Sequence, residues 1–158
     1  MCANQKYPRT PPRLRTIHIA DALFFLTICT EGRRGCLANP LVHEAFTNYC
    51  RRSCLRHGTV AGRYVIMPEH IHLFLRLGRL ARISSWVGGL KQCLTLVLRP
   101  QGVRDPVWQR GFFDHVMRSA ESYSQKWEYV SQNPIRAGLV KRIEDWPYAG
   151  ELVRLNLL

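Results

Sequence analysis

The 158-residue sequence has no hydrophobic stretch approaching the roughly 20 residues that a membrane-spanning helix needs. Its most apolar run, residues 22–29, follows Asp21 rather than the charged n-region of a signal peptide, so neither a span nor a membrane anchor is expected. The six cysteines form no C-x-x-C pair, and a chain of this length does not need disulfide staples, so reduced thiols in a cytoplasmic protein are expected. A glycine-rich phosphate cradle, a G-x-S-x-G elbow and a paired-carboxylate motif are all missing, which leaves nucleotide hydrolysis and acyl transfer without their usual machinery. There is no internal repeat and no low-complexity segment. Acidic residues are scarce: 11 Asp and Glu face 23 Lys and Arg, for a net charge of +12. The excess is spread along the chain, with 12 basic against 4 acidic residues in 1–79 and 11 against 7 in 80–158, so no single tail accounts for it. A folded protein this basic is suited to a polyanion, because arginine forks match phosphate oxygens and counterion release favours binding. Charge kept only for solubility would be far smaller.

Residues 1–158 read as one domain, with 1–16 as a basic, proline-containing extended arm. A strand is expected near 17–30, then a Gly/Arg turn at 31–35 and a helix over 41–57 stopped by Gly58. Two strands, 60–67 and 71–77, flank a turn at Pro68-Glu69. A second helix covers 83–98, ended by Pro100 and Gly102, and a fourth strand covers 107–118. A third helix opens at Ser119 and is terminated by Pro134. The tail, 137–158, reads as a Gly turn, Trp146-Pro147 and a short apolar end. This order is that of an α+β protein: a ferredoxin-like βαββαβ antiparallel sheet with an additional C-terminal helix.

The most informative segment is Pro68-Glu69-His70-Ile71-His72-Leu73-Phe74-Leu75. Strand side chains alternate, so His70 and His72 share one face while Ile71, Leu73 and Leu75 share the other. Two imidazoles side by side suit one divalent metal, although strand histidines are also commonly hydrogen-bonded separately. The second segment is Lys126-Trp127-Glu128-Tyr129-Val130-Ser131-Gln132-Asn133-Pro134. On a helix Tyr129 and Asn133 lie on one face, four residues apart. Asn133 offers a hard carbonyl oxygen as a third ligand, with Gln132 as the rival, and a tyrosine hydroxyl can serve as a nucleophile. Tyr123, six residues earlier, would point to the far side of the same helix, so only one of the two tyrosines can face the histidines.

Together these segments resemble the HUH single-tyrosine transposases, specifically the REP-associated tyrosine transposase branch. The resemblance rests on Val65-Ile66-Met67-Pro68-Glu69-His70-Ile71-His72-Leu73 and on Val107-Trp108-Gln109-Arg110-Gly111-Phe112-Phe113-Asp114-His115-Val116-Met117-Arg118. It continues through Glu128-Tyr129, Asn133-Pro134-Ile135-Arg136-Ala137-Gly138-Leu139-Val140 and Asp145-Trp146-Pro147-Tyr148. It implies that His70, His72 and Asn133 hold Mg²⁺ or Mn²⁺ against a scissile phosphate. Tyr129 would then attack, leaving a 5′-phosphotyrosine and a free 3′-hydroxyl on single-stranded or hairpin DNA. The C-terminal helix would thus carry the nucleophile. The implied protein is a DNA-nicking and strand-joining enzyme, cytoplasmic and nucleoid-associated, either monomeric or a homodimer that swaps its tyrosine helix. The competing reading is a non-catalytic nucleic-acid-binding module on the same fold.

Arg13 and Arg15 in the arm, with Lys91, Arg110 and Arg118, are candidate phosphate contacts, or else solvated surface charges. Trp108, Phe112 and Phe113 suit either base stacking or the core. Cys50, Cys54 and His57 share one helix face, a pattern compatible with zinc, but buried helix cysteines are the commoner case and the sequence offers no evident fourth ligand.

Overall fold

A computed structural model of the protein describes residues 22–156. The expected arm and the first part of the expected first strand lie outside them. Strand β1, Leu23–Cys29, leads through a short 3₁₀ turn at Glu31–Arg33 to helix α1, Pro40–His57. The start of α1 is set by Asn39, whose side chain accepts the Val42 N–H, and by Pro40 in the first turn. Its end is set by Gly58 in the left-handed region at φ 63°, whose N–H donates to the Cys54 carbonyl. Strands β2, Val60–Ile66, and β3, His70–Arg76, form a hairpin whose turn is closed by the Met67 N–H donating to the His70 carbonyl at 2.8 Å. Helix α2, Ile83–Leu98, runs to a 3₁₀ turn at Arg99–Gln101. Strand β4, Phe113–Met117, helix α3, Ala120–Ser131, the one-turn helix α4, Asn133–Arg136, and strand β5, Ala149–Glu151, complete the chain.

The strands form one antiparallel sheet in the order β4-β1-β3-β2-β5, which is the ferredoxin-like order with one strand added. In the register Leu23 pairs with Arg76 and Cys29 with His70. Ile71, Leu73 and Leu75 therefore face one side, with Leu26 and Ile28 beside them, and bury against Phe46 and Cys50 of α1 and Leu90 and Leu94 of α2. On the other side Phe25, Phe74 and Met117 pack with Tyr123 and Val130 of α3 and with Leu155 from the tail. Helix α3 thus covers the Leu23 end of that face, while the Cys29 end carries the two histidines.

Three expectations need correction. The strand expected over 107–118 is paired only from Phe113. Before it, Lys91 Nζ donates to the carbonyls of Gln109 and Gly111, and Gly111 stands at φ 81°, so the backbone there is a loop with a single bridge between Thr30 and Trp108. Helix α3 stops at Ser131, and Pro134 sits in the first turn of α4 instead of terminating a longer helix. The tail supplies β5, which pairs with β2 and adds an Arg63–Glu151 ion pair at 3.3 Å. Among the described residues no helix is long and apolar enough to cross a membrane.

Candidate active site

The strand alternation places His70 and His72 on one face, and their rings meet: Nε2 of one lies 3.0 Å from Nε2 of the other. Each outer ring nitrogen has its own partner. His70 Nδ1 lies 3.0 Å from Glu69 Oε1, and His72 Nδ1 lies 2.9 Å from Thr27 Oγ1, its cross-strand neighbour on β1. Phe25 stacks on the His72 ring at 5.3 Å. Burial pushes the His72 pKa down to about 3, helped by His70, Lys126, Arg33 and Arg136. Burial also lowers His70, opposed by the Glu69 carboxylate. Both imidazoles are therefore neutral near pH 7, the state in which a ring nitrogen can ligate a metal. With neutral rings and an ionised Glu69, the hydrogen bonds admit one proton arrangement. His70 Nδ1–H donates to Glu69, His72 Nε2–H donates to His70 Nε2, and Thr27 O–H donates to His72 Nδ1.

Tyr129 and Asn133 are joined by Arg136. The guanidinium carbon lies 4.0 Å from the centroid of the Tyr129 ring, and the same group donates to the Tyr129 carbonyl and to Asn133 Oδ1. Arg136 also acts electrostatically on His72, as does Lys126, which lies over the Phe25 ring at 5.4 Å. The end of α3 and the start of α4 thus stand beside the histidine face. The two tyrosines of α3 differ sharply. Tyr129 is 63% exposed, whereas Tyr123 is 8% exposed, edge-on to Phe74 at 4.5 Å, with an Oη that has no hydrogen-bond partner among the described residues.

The remaining candidates are dispersed. Lys91 holds the Gln109–Gly111 backbone as described above. Arg110 is exposed and lines a cleft on the histidine face, while Arg118 is exposed after β4, at the sheet end away from the histidines. Arg13 and Arg15 lie outside the described residues. Cys50 is buried against α2 while Cys54 is half-buried, and among the described residues no group of three or more His, Cys, Asp or Glu gathers for a metal. Sequence reasoning assigned no role to Thr27, Glu69 or Arg136. Glu69 was legible as the neighbour of His70, whereas Thr27 depends on a register visible only once β1 and β3 are paired.

The family comparison defines the chain as a transposase, the class of enzyme that cleaves and joins DNA strands. A match to the IS200-like transposases spans residues 20–133, and the chain belongs to that family. A REP-associated tyrosine transposase of Escherichia coli K12 is 27% identical over 146 residues, covering 85% of this chain and 79% of the relative. A Haemophilus influenzae protein provisionally given the same name is 26% identical over 138 residues, covering 80% and 78%. A solved REP-associated tyrosine transposase bound to a REP hairpin superposes with a TM-score of 0.71 at 23% identity, covering 88% of this chain and 82% of that one. The REP-associated branch that the motifs resemble is thus the branch in which these relatives fall.

Proposed function

We propose that this transposase cuts single-stranded DNA beside a hairpin and rejoins it through a 5′-phosphotyrosine on Tyr129, using a divalent cation, Mg²⁺ or Mn²⁺, held by His70, His72 and Asn133. The observation that carries the reading is the convergence of two neutral Nε2 atoms beside a helix end where Arg136 gathers Tyr129 and Asn133. The donor set suits such an ion, with two imidazole lone pairs and one hard amide oxygen. Bound there, the cation would offset charge on the scissile phosphate and stabilise the departing 3′-oxygen.

The residues of the chain supply the rest. Glu69 and Thr27 fix the orientation of the imidazoles. Arg136 holds the Tyr129 ring and adds positive charge where the phosphate must lie. Tyr129 Oη forms a bond to phosphorus as the P–O3′ bond breaks; the phenol proton passes to solvent and the 3′-oxygen takes one up. The phosphodiester bond is exchanged rather than hydrolysed, so the 3′-hydroxyl can attack the phosphotyrosine and restore the strand. The charge of +12 and the hairpin bound by the structural relative favour a hairpin substrate.

The test is covalent trapping. Wild-type protein, labelled hairpin DNA with single-stranded flanks and Mn²⁺ should give a labelled protein band on a denaturing gel, absent in Tyr129→Phe and retained in Tyr123→Phe. Tight binding with no adduct from wild type would favour the non-catalytic module.

A further inference from the structure

A cleft of about 110 Å³ opens on the histidine face, lined by Thr27, Cys29, Gln109, Arg110, Phe112 and Phe113. Two of its walls belong to the site itself. Thr27 is the hydrogen-bond partner of His72, and Cys29 pairs with His70 across the sheet. Its outer wall is braced: the Gln109 N–H donates to the Cys29 carbonyl at 3.0 Å, and Lys91 draws in the carbonyls of Gln109 and Gly111. Its lining thus includes an aromatic residue, Phe113, opposite Thr27 in the β1–β4 ladder, an amide residue, Gln109, and an exposed cationic one, Arg110.

We propose that this cleft receives one unstacked base of the single strand, the nucleotide next to the scissile phosphate, and so helps choose where the strand is cut. The proposal builds on the proposed function and assigns it a specificity subsite. The chemistry fits a nucleobase: an aromatic wall stacks on any base, an amide meets its polar edge, and a cation faces the adjoining phosphate. Among the described residues no carboxylate lines the cleft to repel that phosphate.

The test is equilibrium binding in EDTA, which needs neither cation nor nucleophile and therefore stands apart from any failure of strand transfer. A fluorescent hairpin with short thymidine flanks is scanned with a single abasic residue at each flank position, and affinity is read by anisotropy. One position should lose about 5- to 150-fold in affinity, the range of one base–aromatic stack. Phe113→Leu should bind the intact strand as weakly as wild type binds the abasic one, with no further loss at that position, while Phe113→Tyr should behave as wild type. Equal penalties at every position would overturn the proposal, as would a position-specific penalty that survives in both Phe113→Leu and Arg110→Ala.

Discussion

Thr27→Val changes an oxygen to a methyl at nearly constant volume, in a strand position that tolerates either residue. In the hydrogen-bonded pair described above, His72 carries its proton on Nε2 and accepts from Thr27 at Nδ1. For both Nε2 atoms to face a cation, that proton must move to Nδ1, and the Thr27 oxygen must turn from donor to acceptor. A hydroxyl does both; a methyl does neither. Valine would leave a buried Nδ1–H without a partner in the ligating tautomer, a cost of about 1–3 kcal/mol. Outer partners of ligating histidines are commonly worth 10–100-fold in metal affinity, or about 1.4–2.8 kcal/mol. The Mn²⁺ concentration for half-maximal adduct formation should therefore rise about 10- to 100-fold. Thr27→Ser, which keeps the hydroxyl, should match wild type. An unshifted Mn²⁺ midpoint in Thr27→Val would refute the argument that this hydroxyl governs the tautomer.

His72→Ala should abolish adduct formation while leaving hairpin binding largely intact; equal loss of both would argue against a mainly catalytic role. Leu155→Ala empties a site in the α3-facing core and should lower the melting temperature by roughly 5–15 °C, measured by calorimetry; an unchanged value would mean that the tail does not hold α3 down. His43 donates to or accepts from Tyr64 Oη at 2.7 Å, meets Tyr148 edge-on and feels Arg51, and burial followed by that charge holds its pKa below the usual imidazole value. Its folded form therefore binds protons less readily than its unfolded form, so stability is full above about pH 6.5 and falls as pH drops below it. The stability gap between wild type and His43→Gln, read from denaturation midpoints, should narrow from about pH 8 to about pH 5.5, and a constant gap would contradict that assignment. Hairpin affinity should fall steeply between low and physiological salt, and a flat response would count against a phosphate-binding surface.

The four strands and two helices of the ferredoxin-like frame were legible because their signals are local. Alternation in Ile71, Leu73 and Leu75, the Ser119 cap and the Gly58 stop each act within a few residues. Helical geometry showed that only one of Tyr123 and Tyr129 can face the histidines, and Tyr129 was singled out by Asn133 one turn beyond it and by the family resemblance; in the structure Tyr129 is exposed and Tyr123 buried. The shortened β4 was hidden because its cause, the reach of Lys91 from α2 to the Gln109–Gly111 backbone, joins residues far apart in the chain. Strand β5 has three residues, too few to show alternation, and it exists because β2 offers an open edge. At the site, residue types were readable but couplings were not. Nothing in the order of residues tells that Arg136 lies on Tyr129, or that Thr27 stands opposite His72.

The chain enters α3 from β4 at one margin of the sheet and, after α4, reaches β5 at the other. The tyrosine helix is therefore moored at both borders, like a strap buckled on each side. Handing it to a second copy of the protein would mean unzipping β5 from β2, breaking the Arg63–Glu151 pair and pulling Leu155 out of its seat. Under the proposed function, this mooring favours attack by Tyr129 within its own chain.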